Sequence, residues 1–282
     1  MRNADWEETQ FALRNRSPHS EIRIPQSAIS TAAGSKAYPP IDSVVVVRVS
    51  HLTKRYGAVT ALSDVSFSIR PGEVLGVIGP NGSGKTTLFE CVAGVLPADA
   101  GTVADDTRTL APVERSSALF YLPDAIAPWP AQPVRWALDY TLGFFGGRID
   151  ALLDVIARFD LESILDAPIG TLSKGQRKRA LLAMSLLTPQ PVLLADEPFD
   201  GLDLRQTREV AEALRAQVAG GRTLVLSIHQ IVDAARICDR FVLLSGGRVR
   251  GEGTLAELAA LAAARGDAPR DRDLEEVFLA LT

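Results

Sequence analysis

Gly79-Pro80-Asn81-Gly82-Ser83-Gly84-Lys85-Thr86-Thr87 follows directly on the apolar run "EVLGVI", residues 73–78, and the reading of this junction decides the fold. A short run without polar alternation, bounded by Gly72 and Gly79, suits a central strand buried on both faces of a parallel sheet. The nine residues after it fit the phosphate-loop pattern G-x-x-x-x-G-K-[ST], which requires a strand before it and a helix behind it. Gly79, Gly82 and Gly84 let the backbone turn its amides toward phosphate oxygens, and the helix N-terminus adds a favourable dipole. Lys85 is expected to meet the β and γ phosphates, and the Thr86 hydroxyl to take one place on Mg2+. Read alone, the same stretch is also compatible with a Gly-rich turn that merely joins strand to helix.

Outward from this point, further apolar runs occur at 118–122 "ALFYL", 191–196 "PVLLAD", 223–228 "TLVLSI" and 240–244 "RFVLL", separated by stretches of helical character. That alternation predicts an α/β domain with a parallel sheet covered by helices. Upstream, "VVVVRVS" from Val44 and the alternation of Val65, Phe67 and Ile69 with polar residues predict a small antiparallel β subdomain ahead of the main core. The interval from about 124 to 187 breaks the pattern. Val134, Ala137, Leu138, Thr141, Leu142 and Phe145 recur at three and four, Leu152, Val155, Ile156 and Phe159 do the same, and no strand is expected there, so an inserted α-helical subdomain is predicted. Gly246-Gly247-Arg248-Val249 is a hairpin signal, and 254–282 reads as a C-terminal tail of one or two helices with a breaker near Gly266. Residues 1–43 mix acids and bases, carry Pro25, Pro39 and Pro40, and lack the apolar core of a signal peptide; a flexible N-terminal extension is expected, which leaves 44–253 as the main domain.

A chain of 282 residues with 46% apolar content can bury one large core. Its formal charge of -4 supplies no field that would gather it onto a nucleic-acid backbone, so no nucleic-acid partner is expected. Cys91 and Cys238 lie far apart in segments that read as packed helix, and suggest neither a disulfide framework nor a metal cluster. "ALLAMSLL" and "LAELAALAAA" are too short to span a membrane, and the second carries Glu257. If the chain drives movement across a membrane, another polypeptide supplies the path.

A phosphate loop states that a nucleotide binds, not which machine uses it. "PVLLADEP", residues 191–198, is a hydrophobic strand ending in two carboxylates, an expensive arrangement unless the acids meet a cation or a hydrogen-bond network. Asp196 suits Mg2+, and Glu197 suits the orientation and polarisation of an attacking water in phosphoryl transfer. About twenty residues earlier, 171–187 reads "TLSKGQRKRALLAMSLL". With its Leu172, Ser173, Lys174, Gly175 and Gln176 this stretch resembles the Leu-Ser-Gly-Gly-Gln signature of ATP-binding cassette ATPases. The order of phosphate loop, signature, acidic strand, "DGLD" and a histidine after the next strand is complete, over about Val44 to Gly253. A weaker similarity reaches the end, where "DLEEVFLALT" looks like the tail of cassettes that drive ABC-2 type exporters.

The resemblance implies a P-loop NTPase core of the RecA-like kind, with an ATP-binding and ATP-hydrolysing activity that powers export through a separate integral membrane subunit. ATP and Mg2+ would be the cofactors, and the location cytoplasmic, on the inner face of the membrane through that partner. It places the bound ATP on residues 79–87 (Gly79, Pro80, Asn81, Gly82, Ser83, Gly84, Lys85, Thr86 and Thr87) and on the Tyr56 ring, which would stack on adenine, although a tyrosine in a hairpin is often only packing. It places Ser173, Gly175, Gln176 and Asp203 against the ATP of an opposing subunit, either a second copy or a related cassette. Asp203 also suits an ordinary helix N-cap. Glu197 and His229 would be catalytic, and Thr86, Asp196 and Asp124 would hold Mg2+.

Two positions depart from the commonest pattern: Lys174 within the signature, and Asp124, where many members carry a glutamine that links the metal site to the membrane partner. His19 and His51 have no functional setting. Trp129, Trp136, Phe144 and Phe145 suit either a partner contact or the core of the helical insertion. A soluble cassette acting on ribosomes or chromosomes is the alternative, but such proteins commonly duplicate the cassette or interrupt it with a long coiled coil.

Overall fold

The computed structural model describes residues 46–265 and 273–282; the expected extension 1–43, its His19 and the breaker at Gly266 lie outside the described residues. A three-stranded antiparallel sheet has the order β2 (Val59–Ile69), β1 (Val47–Tyr56), β4 (Ala100–Ala104). The larger sheet has the order β5 (Leu119–Leu122), β6 (Val192–Asp196), β7 (Thr223–Ile228), β3 (Val74–Ile78), β8 (Arg240–Ser245), β9 (Arg248–Gly253). Its first five strands run parallel, and β9 folds back antiparallel on β8 through the Gly246-Gly247 turn.

Why these runs lack polar alternation is visible in their packing. Val74 and Ile78 face one core, together with Leu193, Ala195, Leu224, Leu226, Phe241 and Leu243. The intervening Leu75, Val77, Val192, Leu194, Val225, Val242 and Leu244 face a second core on the other side of the sheet. Successive side chains point to opposite faces, and both faces are covered, so the strand interiors are apolar on both sides and polar residues such as Thr223, Ser227 and Arg240 fall at or near the strand ends. Each such aliphatic side chain contributes about 1.5–3 kcal/mol on burial.

The second core is closed by α1 (Lys85–Ala93), through Leu88, Phe89 and Val92, and by the antiparallel sheet, through Val47, Val49, Val65, Phe67 and Ile69. The first is closed by α2 (Val134–Phe145), α3 (Ile149–Arg158), α4 (Lys174–Leu186), α5 (Leu204–Ala219) and α6 (Ile231–Ile237). The chain ends in α7 (Leu255–Ala264) and α8 (Leu274–Leu281), whose Leu258, Leu274, Val277 and Leu281 complete that core.

In α2 five of the six expected positions, Val134, Ala137, Leu138, Thr141 and Leu142, are buried, and the sixth, Phe145, is only half-buried. Strand β4 has no counterpart in the sequence reading: of its residues only Val103 is buried, and Gly101 is held at φ 95° against the backbone of His51 and Leu52. No two-residue period survives in so short a segment. Cys91 lies within α1, whereas Cys238 stands one residue beyond α6 against Gly76, not inside a helix. Among the described residues, no helix is long and apolar enough to cross a membrane.

The parallel order gathers the ends of several strands. The loops after β3, β6 and β7 leave three neighbouring strands at the same edge of the sheet, and the segment after β5 leaves the strand beside β6. In open α/β sheets, ligands bind at the carboxyl edge of the strands.

Candidate functional site

Between β3 and α1 the loop turns through Gly82 at φ 79° and Gly84 at φ 103°, conformations that glycine adopts without steric cost. Gly84 is the cap of α1, and a Cβ there would meet the Ala61 carbonyl oxygen at 2.7 Å. The loop is braced from outside: the Gly247 amide donates to Ser83 O at 3.2 Å, and the Ser63 amide donates to Gly247 O at 2.8 Å. Lys85 is buried, and its Nζ donates to Gly79 O at 2.8 Å and to Pro80 O at 3.4 Å. The buried Ser83 hydroxyl has no hydrogen-bond partner among the described residues, so the loop retains an unmet polar atom.

Asp196 ends β6 and is buried. One of its oxygens accepts from Thr86 Oγ1 at 2.7 Å and the other from the buried hydroxyl of Ser227 in β7. The next residue, Glu197, is one of the few non-glycines at positive φ, 48°. Its amide donates to the same Ser227 Oγ at 3.0 Å. Its Oε2 lies 2.5 Å from His229 Nδ1, and its Oε1 lies 3.5 Å from Lys85 Nζ. Thus loop 79–87, Asp196, Glu197 and His229 converge in one place. A hydroxyl and a carboxylate oxygen 2.7 Å apart are hard oxygen donors of the kind Mg2+ takes from a protein, with phosphates and water supplying the rest. The residues present therefore fit that ion. The adjacent carboxylate, flanked by an ammonium and an imidazole, is equipped to accept a proton from water.

Ser173 caps α4 through a reciprocal box with Gln176: its hydroxyl accepts from the Gln176 amide, and its own amide donates to Gln176 Oε1 at 3.0 Å. Ser173 and Lys174 are exposed at this helix start, and Gly175 lies against the Gly201 carbonyl, which a Cβ would meet at 2.7 Å. Asp203 caps α5 in the same manner with Gln206. Tyr56 ends β1 with an exposed ring, 5.6 Å from Lys54 Nζ. His51 is exposed and paired with Asp64 on the neighbouring strand. Among the described residues, no hydrogen bond or ion pair joins Ser173, Gly175, Gln176, Asp203 or Tyr56 to the convergent group of Lys85, Asp196, Glu197 and His229. Asp124 takes a different setting from Thr86 and Asp196: its Oδ1 accepts from Lys178 Nζ at 2.5 Å, one turn into α4.

The segment after β5 carries two further non-glycine residues at positive φ, Ala125 and Trp129, both at 47°. An open groove of about 290 Å³ follows it, lined by Trp129, Tyr140, Phe144, Leu181 and Met184 among others. Its aromatics form a ladder: Trp136 stacks on Tyr140 at 5.2 Å, Trp129 meets both edge-on, and Tyr140 continues to Phe144 at 6.1 Å. Trp129, Tyr140 and Phe144 are each more than 40% exposed, so the ladder is surface rather than core. Burial raises the Tyr121 phenol well above its usual range, aided by the negative charge of Asp196.

Three contributors escape the sequence reading. Ser227 is a hydroxyl residue between the apolar run of β7 and His229, a polar group in a fully buried strand, and that signal is readable. Lys178 and Asp200 each join segments far apart in sequence, and no local pattern marks them: Asp200 Oδ2 accepts from Lys174 Nζ at 2.5 Å.

Known proteins resemble the chain in both sequence and fold. The family model described as "ABC transporter" matches residues 62–200. The "Nod factor export ATP-binding protein I" of Ralstonia nicotianae is 34% identical over 231 residues, 78% of this chain and 70% of that protein. The "Hemin import ATP-binding protein HmuV" of Thermobifida fusca is 32% identical over 260 residues, 84% of this chain and 88% of that protein. Among solved structures, the ATP-binding subunit of an ABC transporter aligns with a TM-score of 0.73 at 27% identity, over 84% of this chain and 99% of that one.

Proposed function

Since this chain belongs to the ABC transporter family, as an ATP-binding subunit that hydrolyses ATP, we propose that it powers export of a solute through a separate membrane subunit by Mg-ATP-driven closure of two cassettes. The observation that carries this reading is the convergence of Lys85, Asp196, Glu197 and His229 at the carboxyl ends of three adjacent parallel strands.

In this reading the amides of 79–87 and the Lys85 ammonium bind the triphosphate, and the exposed Tyr56 ring accepts the adenine face. Thr86 and Asp196 hold Mg2+, which when bound neutralises charge on the phosphate oxygens. Glu197 takes the proton of the attacking water, and His229 fixes the carboxylate by its short contact to Oε2. Lys85, once drawn onto phosphates, leaves Oε1 of Glu197 free to face that water. Ser173, Gly175 and Gln176, at the exposed start of α4, cap the triphosphate of the opposing copy, with Asp203 alongside. Because both half-sites lie in one chain, a symmetric pair has two complete sites. Asp124, satisfied by Lys178, serves to join the segment after β5 to α4 rather than as a metal ligand.

The membrane subunit seats an apolar segment in the groove of Trp129, Tyr140 and Phe144, placing this chain on the cytoplasmic face of the membrane. Export is favoured over import because the relatives similar over most of this chain include several named for export, together with one named for import.

The test is to follow phosphate release and molecular mass of the native chain and of Glu197→Gln. The substituted protein is expected to bind ATP, to lose turnover by at least about a hundredfold, and to become dimeric only with Mg-ATP. Equal turnover in the two proteins, or a strictly monomeric Glu197→Gln at saturating Mg-ATP, defeats the reading.

A further inference from the structure

We propose that Lys174 is a positioning residue that ties the helix start facing one nucleotide to the turn that aims Glu197 at the other. This inference rests on the two-cassette reading above and adds to it a route between the sites.

The turn from Glu197 to Asp200 is held at both ends. At its head the Glu197 amide donates to Ser227 Oγ, and within it the Asp200 amide donates to Glu197 O at 3.2 Å. At its tail the Asp200 carboxylate accepts from Lys174 Nζ at 2.5 Å. Glu197 itself sits at φ 48°, an uncommon conformation for a side-chain-bearing residue, which persists only when the surroundings fix it. Lys174 is the first residue of α4, adjacent to Ser173, so one side chain reaches from the signature helix to the turn that carries the base.

Packing reinforces the link. The stem of Lys174 lies over Gly201, where a Cβ would meet its carbons at 2.8 Å, and Gly201 O in turn lies under Gly175. Helix start and loop therefore press backbone against backbone and cannot slide independently. Lys174 holds the Asp200 carboxyl below the usual carboxylate range by its hydrogen bond, with the charges of Lys178 and His229 acting in the same direction.

The ordinary alternative is an exposed ion pair of no consequence. Lys174 is 54% exposed and Asp200 32%, and such pairs add little to stability. The fold does not need this one. A pair that bridges two working segments is placed to act in turnover instead. When the N-terminus of α4 shifts onto a triphosphate of the opposing copy, Lys174 carries Asp200 with it and resets the Glu197 turn of its own site.

The experiment uses the full chain with Lys174→Gln, Lys174→Arg, Asp200→Asn and the exchanged pair K174D/D200K, reading kcat, KM, the Hill coefficient for ATP and the thermal midpoint. Lys174→Gln is expected to lower kcat about fivefold, the rate equivalent of an exposed pair, with KM and thermal midpoint unchanged and the Hill coefficient falling toward 1. Lys174→Arg is expected to retain native values, and the exchanged pair to recover most of the loss. Native kcat and Hill coefficient in both Lys174→Gln and Asp200→Asn would overturn the inference, as would an exchanged pair no better than the single variants. Dimerisation of Glu197→Gln with Mg-ATP is measured alongside. If that parent stays monomeric, the two-cassette reading fails and takes this inference with it; if it dimerises while Lys174 proves indifferent, only this inference falls.

Discussion

His229 Nδ1 and Glu197 Oε2 are 2.5 Å apart, although 32 residues and one helix separate them in sequence. Adjacent parallel strands β6 and β7 make the contact: Asp196 is paired in register with Ser227, so the residues just beyond them leave the sheet side by side. The imidazole occupies one carboxylate oxygen, and Lys85 approaches the other. A carboxylate held between two such partners is oriented before any water arrives, which is the geometric condition the proposed general-base role requires.

Residues that act as one unit are not additive when removed. His229→Ala alone is expected to lower kcat by about ten- to a hundredfold, and Glu197→Gln by more. The double variant is expected to be no slower than Glu197→Gln, because the histidine acts through that carboxylate. Steady-state phosphate release from the three proteins checks this; a double variant slower by the product of the two factors would separate the roles.

Ser227 bridges Asp196 and the Glu197 amide while wholly buried. Ser227→Ala leaves a half-buried amide and a buried carboxylate oxygen without a partner, at about 1–3 kcal/mol for each group. We expect a stability loss of about 2–6 kcal/mol for the two groups together, read from urea unfolding, and a higher Mg2+ concentration for half-maximal ATP turnover, since Asp196 loses the bond that orients it.

The sheet is legible from sequence because burial on both faces leaves an unmistakable run, as in "EVLGVI" and "TLVLSI". Helix α2 is legible because its buried positions keep the helical period through Leu142. The phosphate loop, Asp196, Glu197 and His229 are legible because each follows such a run at the same edge. Contact between segments cannot be read this way. Asp124 pairs with Lys178, and nothing in "YLPD" marks a lysine 54 residues away as its partner. Likewise Lys174 reads as a deviation in a motif until Asp200 is found beneath it. The aromatic ladder carries helical spacing at Trp136, Tyr140 and Phe144, yet which side of α2 it covers depends on where α4 packs.

The two thiols offer a pH-dependent check on the core. Burial pushes the Cys91 thiol up to about 11 and moves Cys238 in the same direction. The folded chain therefore holds these protons more tightly than the unfolded chain, in which thiols ionise near about 8.5. The sign follows from proton linkage: their contribution is fully present below about pH 8.5 and is lost as pH rises toward 11. At about pH 8, below that window, both cysteines are expected to resist alkylation in the native protein and to react fully in denaturant, as mass spectrometry after iodoacetamide treatment would record.

Arg240 on β8 anchors a buried ion-pair cluster where the larger sheet meets β2, and one of its guanidinium nitrogens donates to Ser68 O at 3.4 Å. Its guanidinium is nearly buried, donates to both oxygens of buried Glu73, and reaches Glu252 at 2.6 Å. Glu252 in turn accepts from the amide and the hydroxyl of Ser68 on β2. Removing one member of a buried pair costs more than the pair contributes, because the surviving charge stays out of water. Arg240→Ala is thus expected to destabilise the chain by about 3–5 kcal/mol. Glu252→Gln is expected to cost less, since Glu252 is a quarter exposed and the amide oxygen can still accept from Ser68. Equilibrium unfolding of the two variants gives the comparison. Equal losses would mean that the buried Arg240–Glu73 pair adds nothing beyond the contacts made by Glu252.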